Sequence, residues 1–109
     1  MNRALLVVDD EANRLTLGAL LEDAGFTVFY AQSLEEARGH LGQTEIELCV
    51  LDRDLGGENG LSLLEELRAR ARPPKVALLT GAPCEAAVDL VLRKGGRSDE
   101  IVASLVALV

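Results

Sequence analysis

Five short apolar runs recur along the chain, and the stretches between them carry helical periodicity. Residues 4–8, 27–31, 46–51 and 76–79 are each of strand length, and residues 90–92 are the core of a fifth run. Most are apolar at consecutive positions, the pattern of strands buried on both faces. Residues 12–24 predict a first helix with Leu17, Leu20, Leu21 and Ala24 on one face, ended by Gly25. Ser33 and Glu36 form a capping box for a second helix. Leu34, Ala37 and Leu41 make its inner face, and Gly39 and Gly42 weaken its end. Residues 56–60 read as a loop, with Asn59-Gly60 turning into a third helix over 61–72 that Pro73-Pro74 stops. Ser98 is the expected N-cap of the last helix, with Asp99 and Glu100 in its first turn. Ile101, Leu105 and Leu108 form one face of that helix. Val102, Val106 and Val109 form an adjoining one; one of the two faces is expected to cover the sheet and the other to be open to a partner or a second copy of the chain.

Strands alternating with helices predict one α/β domain over residues 1–109, a parallel sheet with helices on both sides. Ligands of such sheets bind beyond the carboxyl ends of the strands. Asp9, Asp10, Asp52, Thr80 and Lys94 all fall at predicted carboxyl ends. Charges there are costly unless a metal, a phosphate or each other compensates them. Carboxylates with one lysine suit a hard divalent cation and a phosphoryl group. Plainer roles exist for each residue. Asp9 and Asp10 cap a helix, Asp52 sits in a turn, Thr80 ends a strand, and Lys94 is a surface lysine. Gly81 either leaves room beside Thr80 or is a turn glycine. His40 is expected to face solvent on the second helix.

Composition narrows the functions. Aromatics make up 3% of the chain against 49% apolar residues, so the core must be built from Leu, Val and Ala. A net charge of −7 argues against a nucleic-acid surface, which needs a basic stripe. The densest basic group is Arg68, Arg70 and Arg72, expected to complement the dipole at the end of the third helix. No apolar run approaches membrane-spanning length and no secretory leader is visible, so a reduced, cytoplasmic chain without membrane contact is expected. Cys49 reads as a buried small hydrophobe, Cys84 as a loop residue after Pro83, and no disulfide between them is expected.

With those residues in place, the chain resembles the receiver domains of two-component response regulators (the CheY-like family). The resemblance rests on Leu6-Val7-Val8-Asp9-Asp10-Glu11, on the run from Cys49 through Asp52-Arg53-Asp54 to Gly60, on Leu78-Leu79-Thr80-Gly81, and on Leu92-Arg93-Lys94. It implies a flavodoxin-like three-layer sandwich with five parallel strands in order 2-1-3-4-5. It implies that Asp52 accepts a phosphoryl group from a histidine kinase or phosphotransfer protein. It further implies Mg²⁺ held by Asp10, Asp52 and the backbone carbonyl of Asp54, with Asp9 acting through water. Thr80 and Lys94 would hold phosphoryl oxygens. A receiver of this kind is a phosphoacceptor rather than an enzyme. Either it stands alone, passing phosphate or binding a protein, or it is part of a longer protein; both stay open.

Three departures from the receiver pattern bear on output. Only 14 positions separate Thr80 from Lys94, so the fourth helix is expected to be a single turn or missing. Val91 stands where receivers usually carry an aromatic, three positions before the lysine. Gly95 follows the lysine where proline is common. Two other readings compete. One is a phosphorylation-independent interaction module. The other is a haloacid-dehalogenase-like phosphatase, whose Asp-x-Asp pattern Asp52-Arg53-Asp54 matches, with the second Asp as general acid.

Overall fold

Strand β1, Arg3–Val7, is continuously apolar after Arg3, and its residues 4–7 are wholly buried. Such a run lies inside only if both faces are covered, and the rest of the fold covers them. The computed structural model describes residues 2–81 and 88–109. After β1 come α1 (Glu11–Asp23), β2 (Thr27–Ala31), α2 (Leu34–Gln43) and β3 (Leu48–Asp52). A two-strand hairpin follows, β4 (Asp54–Leu55) and β5 (Glu58–Asn59), then a 3-10 turn, Gly60–Leu63, running into α3 (Leu64–Arg68). The described chain closes with β6 (Lys75–Thr80), β7 (Leu90–Arg93) and α4 (Ser98–Leu108).

The main sheet is parallel in the order β2-β1-β3-β6-β7. Counted among its own five strands, that is the expected 2-1-3-4-5. Alternate residues serve opposite layers. Ala4, Leu6, Leu48, Val50, Ala77 and Leu79 pack with Leu17 and Leu21 of α1 and Ile101 and Leu105 of α4. Leu5, Val7, Cys49, Leu51, Val76 and Leu78 pack with Leu34 and Leu41 of α2 and Leu67 of α3. Cys49 is fully buried and free, and burial pushes its thiol up to about 12. At the far end of the sheet the Val76 N–H donates to Asp89 Oδ2 at 2.8 Å, and the Asp89 N–H donates to the Val76 carbonyl at 2.9 Å. No described helix is long and apolar enough to cross a membrane.

Four local expectations need correction or narrowing. The third helix ends at Arg68, not at residue 72. Leu67 is its last fully buried anchor, Ala69 and Ala71 have little apolar area to hold another turn, and the prolines disfavour helix before them. Arg68 alone therefore lies in a helical last turn, while Arg72 pairs loosely with Glu45 at 3.8 Å. The last helix is capped by Arg97, with Ser98 as its first residue and no side-chain capping bond. Val102 joins the core, so the outward face of α4 keeps only Val106 and Val109 exposed. His40 does not simply face solvent: its Nε2 lies 2.9 Å from the Tyr30 carbonyl and its ring packs on Phe29. The short or missing fourth helix falls on residues 82–87, outside the described residues, as does the Cys84 loop; Gly81, Val88 and Asp89 beside them are not helical.

Candidate functional site

The strand register brings Asp52, Thr80 and Lys94 together. Asp52 ends β3 opposite Leu79, and Thr80 ends β6 opposite Arg93. Lys94 follows at once, its N–H donating to the Thr80 carbonyl at 2.8 Å. Asp52 and Thr80 are the only polar side chains among the described residues that are buried, at 1% and 2% exposure. Lys94 Nζ reaches Asp52 Oδ1 at 2.7 Å. The Asp54 N–H donates to the same oxygen at 3.1 Å. The lysine and the backbone N–H are the compensation that burying a carboxylate calls for.

The segment after Asp52 is not a plain loop. Asp54 pairs with Asn59 and Leu55 with Glu58, closed by Gly56 and Gly57 at φ 58° and 99°. Two consecutive left-handed residues make the hairpin turn that matches strand twist, and a Gly-Gly pair between short flanks is its sequence signal. Leu55 is buried and anchors it. The Arg53 N–H donates to the Leu79 carbonyl at 3.0 Å, and the Arg53 carbonyl accepts from the Gly60 N–H at 2.8 Å. A Cβ on Gly60 would overlap the Asp52 carbonyl oxygen, so only glycine fits beneath the site. Asn59 caps the turn, its Oδ1 accepting from the Leu61 N–H at 3.0 Å, as its place before a helix implies.

The acidic pair lies beyond β1. Asp10 takes the plainer role foreseen for it: it caps α1, Oδ1 accepting from the Ala12 N–H at 2.9 Å and Oδ2 from Asn13 Nδ2 at 3.1 Å. The Asp9 carboxylate faces Gly56 of the hairpin turn, where an added Cβ would lie 3.6 Å from Oδ2. Arg14 braces this loop from α1, donating to the Val8 carbonyl at 2.9 Å and the Asp9 carbonyl at 3.3 Å. Sequence reasoning passed over Arg14, Asn13 and Glu58, whose carboxylate accepts from the Leu34 N–H at 3.4 Å.

Among the described residues no three His, Cys, Asp or Glu side chains are gathered as a metal site. Magnesium does not require one, since it binds through one or two carboxylates and keeps several waters. The oxygens of Asp10, Asp52 and the Asp54 carbonyl are hard donors of the right kind. Next to Asp52, on the side of Lys94, opens a cavity of about 490 Å³ lined by Arg53, Asp54, Glu58, Thr80, Gly81 and Lys94, among others. A Cβ on Gly81 would meet nothing within 4 Å, so this glycine stands in open space.

Residues 4–101 match the family model of the response regulator receiver domain. The chain belongs to that family. The alginate biosynthesis transcriptional regulatory protein AlgB of Pseudomonas putida is 36% identical over 101 residues, covering 92% of this receiver and 22% of AlgB. The aerobic respiration control protein ArcA of Escherichia coli is 41% identical over 91 residues, covering 81% of this receiver and 36% of ArcA. The receiver thus spans well under half the length of these curated relatives. Among solved structures, the response regulator TrrA of Thermotoga maritima, in complex with Mg²⁺ and BeF, superimposes with a TM-score of 0.86 at 27% identity, each chain fully covered. A response regulator from Burkholderia pseudomallei with a phosphorylated aspartic acid and a calcium ion gives 0.85 at 28% identity, covering 96% of this receiver and 66% of that chain.

Two of the departures have structural counterparts. Val91, on β7 opposite Leu78, is 39% exposed, a small aliphatic where receivers usually place a ring. Gly95 adopts φ 87°, a conformation closed to the proline common at that position.

Proposed function

We propose that this receiver accepts a phosphoryl group on Asp52 from a histidine kinase or a histidine phosphotransfer protein. The observation that carries the reading is the buried Asp52 carboxylate, paired with Lys94 Nζ at 2.7 Å where the strand ends meet a cavity. A carboxylate oxygen of Asp52 forms the new bond to phosphorus. The bond from phosphorus to the donor's imidazole nitrogen breaks, and the imidazole leaves with the electron pair. Lys94 then pairs with a phosphoryl oxygen, and the Thr80 hydroxyl donates to another. Asp10, Asp52 and the Asp54 carbonyl would hold Mg²⁺, with Asp9 acting through water. When bound, the ion supplies positive charge that lessens repulsion between the acids and the phosphoryl group.

The product stays on the protein, so the receiver is a carrier of phosphate rather than a catalyst of turnover, and its place is the cytoplasm. With a net charge of −7 the domain itself makes no direct nucleic-acid contact, and its partners are proteins. A second copy would pair through Val106 of α4 and Val109 just beyond it. Incubation with Mg²⁺ and acetyl phosphate, followed by intact-mass measurement, tests the reading. One phosphoryl adduct is expected on the native chain and none on Asp52→Ala. An adduct of equal yield on both would refute it.

A further inference from the structure

The cavity beside Asp52 has two cations in its wall, Lys94 and Arg53, and two acids, Asp54 and Glu58. Lys94 is already engaged, its Nζ on Asp52 Oδ1. A phosphodonor reaching Asp52 through this opening passes two carboxylates, and a dianion is repelled most. Arg53 is exposed, yet its backbone is fixed on both sides, to Leu79 and to Gly60. Its guanidinium therefore starts from a rigid mount at the cavity wall, with planar donors suited to two phosphate oxygens at once.

We propose that Arg53 is a specificity-determining residue that draws dianionic phosphodonors into this cavity and orients them over Asp52. The proposal rests on Asp52 being the phosphoacceptor. With acetyl phosphate, an Asp52 oxygen bonds to phosphorus, the bond from phosphorus to the bridging oxygen breaks, and acetate leaves with the pair; no proton moves. With phosphoramidate the phosphorus–nitrogen bond breaks, and ammonia leaves with the pair from a nitrogen already protonated. At neutral pH the first donor is a dianion and the second carries one net negative charge.

Rates of adduct formation with each donor, in Mg²⁺, read the difference. Arg53→Gln is expected to slow the acetyl phosphate reaction by about three- to tenfold, the scale of one exposed charge acting on a dianion, and the phosphoramidate reaction by about the square root of that factor, two- to threefold, because its net charge is half. Arg53→Lys is expected to fall between the native chain and Arg53→Gln with acetyl phosphate, because the charge remains while the planar fork is lost. Added salt should narrow the gap between the native chain and Arg53→Gln with acetyl phosphate, because screening weakens what the Arg53 charge contributes. Arg53→Ala, read in the same way, carries the test if Arg53→Gln fails to fold. Equal slowing of both donors in folded Arg53→Gln, or native rates with both, would overturn the proposal. So would a native-to-variant ratio with acetyl phosphate that salt leaves unchanged. A native chain that takes phosphate from neither donor defeats the Asp52 reading itself, and is distinguished by that.

Discussion

Asp52 and Lys94 form one ion pair with unequal exits to water. The Asp52 side chain is 2% exposed and that of Lys94 34%. Losing the lysine strands a buried carboxylate, whereas losing the acid leaves a lysine that can turn outward. Lys94→Met should therefore cost about 2–4 kcal/mol and Asp52→Asn about 1 kcal/mol or less, measured by urea unfolding without Mg²⁺. Equal costs would show that burial does not govern the pair. These two residues were legible in the sequence because each is a charge at the end of an apolar run, a placement that demands compensation. Arg14 was not. Its targets are backbone carbonyls five and six positions back, and backbone oxygens leave no mark in a sequence. Arg53 was hidden differently, since a cation beside an acid on an exposed position reads as ordinary surface.

Among the elements, the main strands were readable from continuous apolar runs, and α1 and α2 from their inner faces and stop signals. The β4–β5 hairpin was missed because its strands are two residues each, too short for any alternation to show. The third helix was overextended because its boundary depends on where buried anchors end, which the nearby prolines masked. Packing between α1 and β2 was equally invisible. Tyr30 of β2 lies across Gly18 of α1, and its hydroxyl donates to Glu22 Oε1 at 2.8 Å. Burial first, then the Glu22 bond and its charge, raise the Tyr30 phenol above 10.0. Alanine at a helical glycine normally stabilises by about 1 kcal/mol. Here a Cβ on Gly18 would overlap the Tyr30 ring, so Gly18→Ala should instead destabilise by about 1–2 kcal/mol. Adding Tyr30→Ala should restore the usual helical gain in a double-mutant cycle. Additive effects across the cycle would contradict that contact.

Across the whole molecule, an acidic chain gathers several carboxylates at one end of its sheet, and a cation that binds only the folded form stabilises it by mass action. Millimolar Mg²⁺ should raise the thermal midpoint by several degrees, and the rise should shrink in Asp10→Ala; an unchanged midpoint would count against the assigned ligands. The family and topology were available from the arrangement of motifs along the chain. An output face was not, since Val91, Gly95 and the short span from Thr80 to Lys94 mark only where the chain departs from the receiver pattern. The central claim is that phosphate is carried on Asp52 and nowhere else. Borohydride reduces an aspartyl phosphate to homoserine, so the receiver can be phosphorylated with acetyl phosphate and Mg²⁺, reduced, digested and mapped by mass. Homoserine at position 52 alone is the predicted result; homoserine at Asp9, Asp10 or Asp54, or at none of them, would contradict the account.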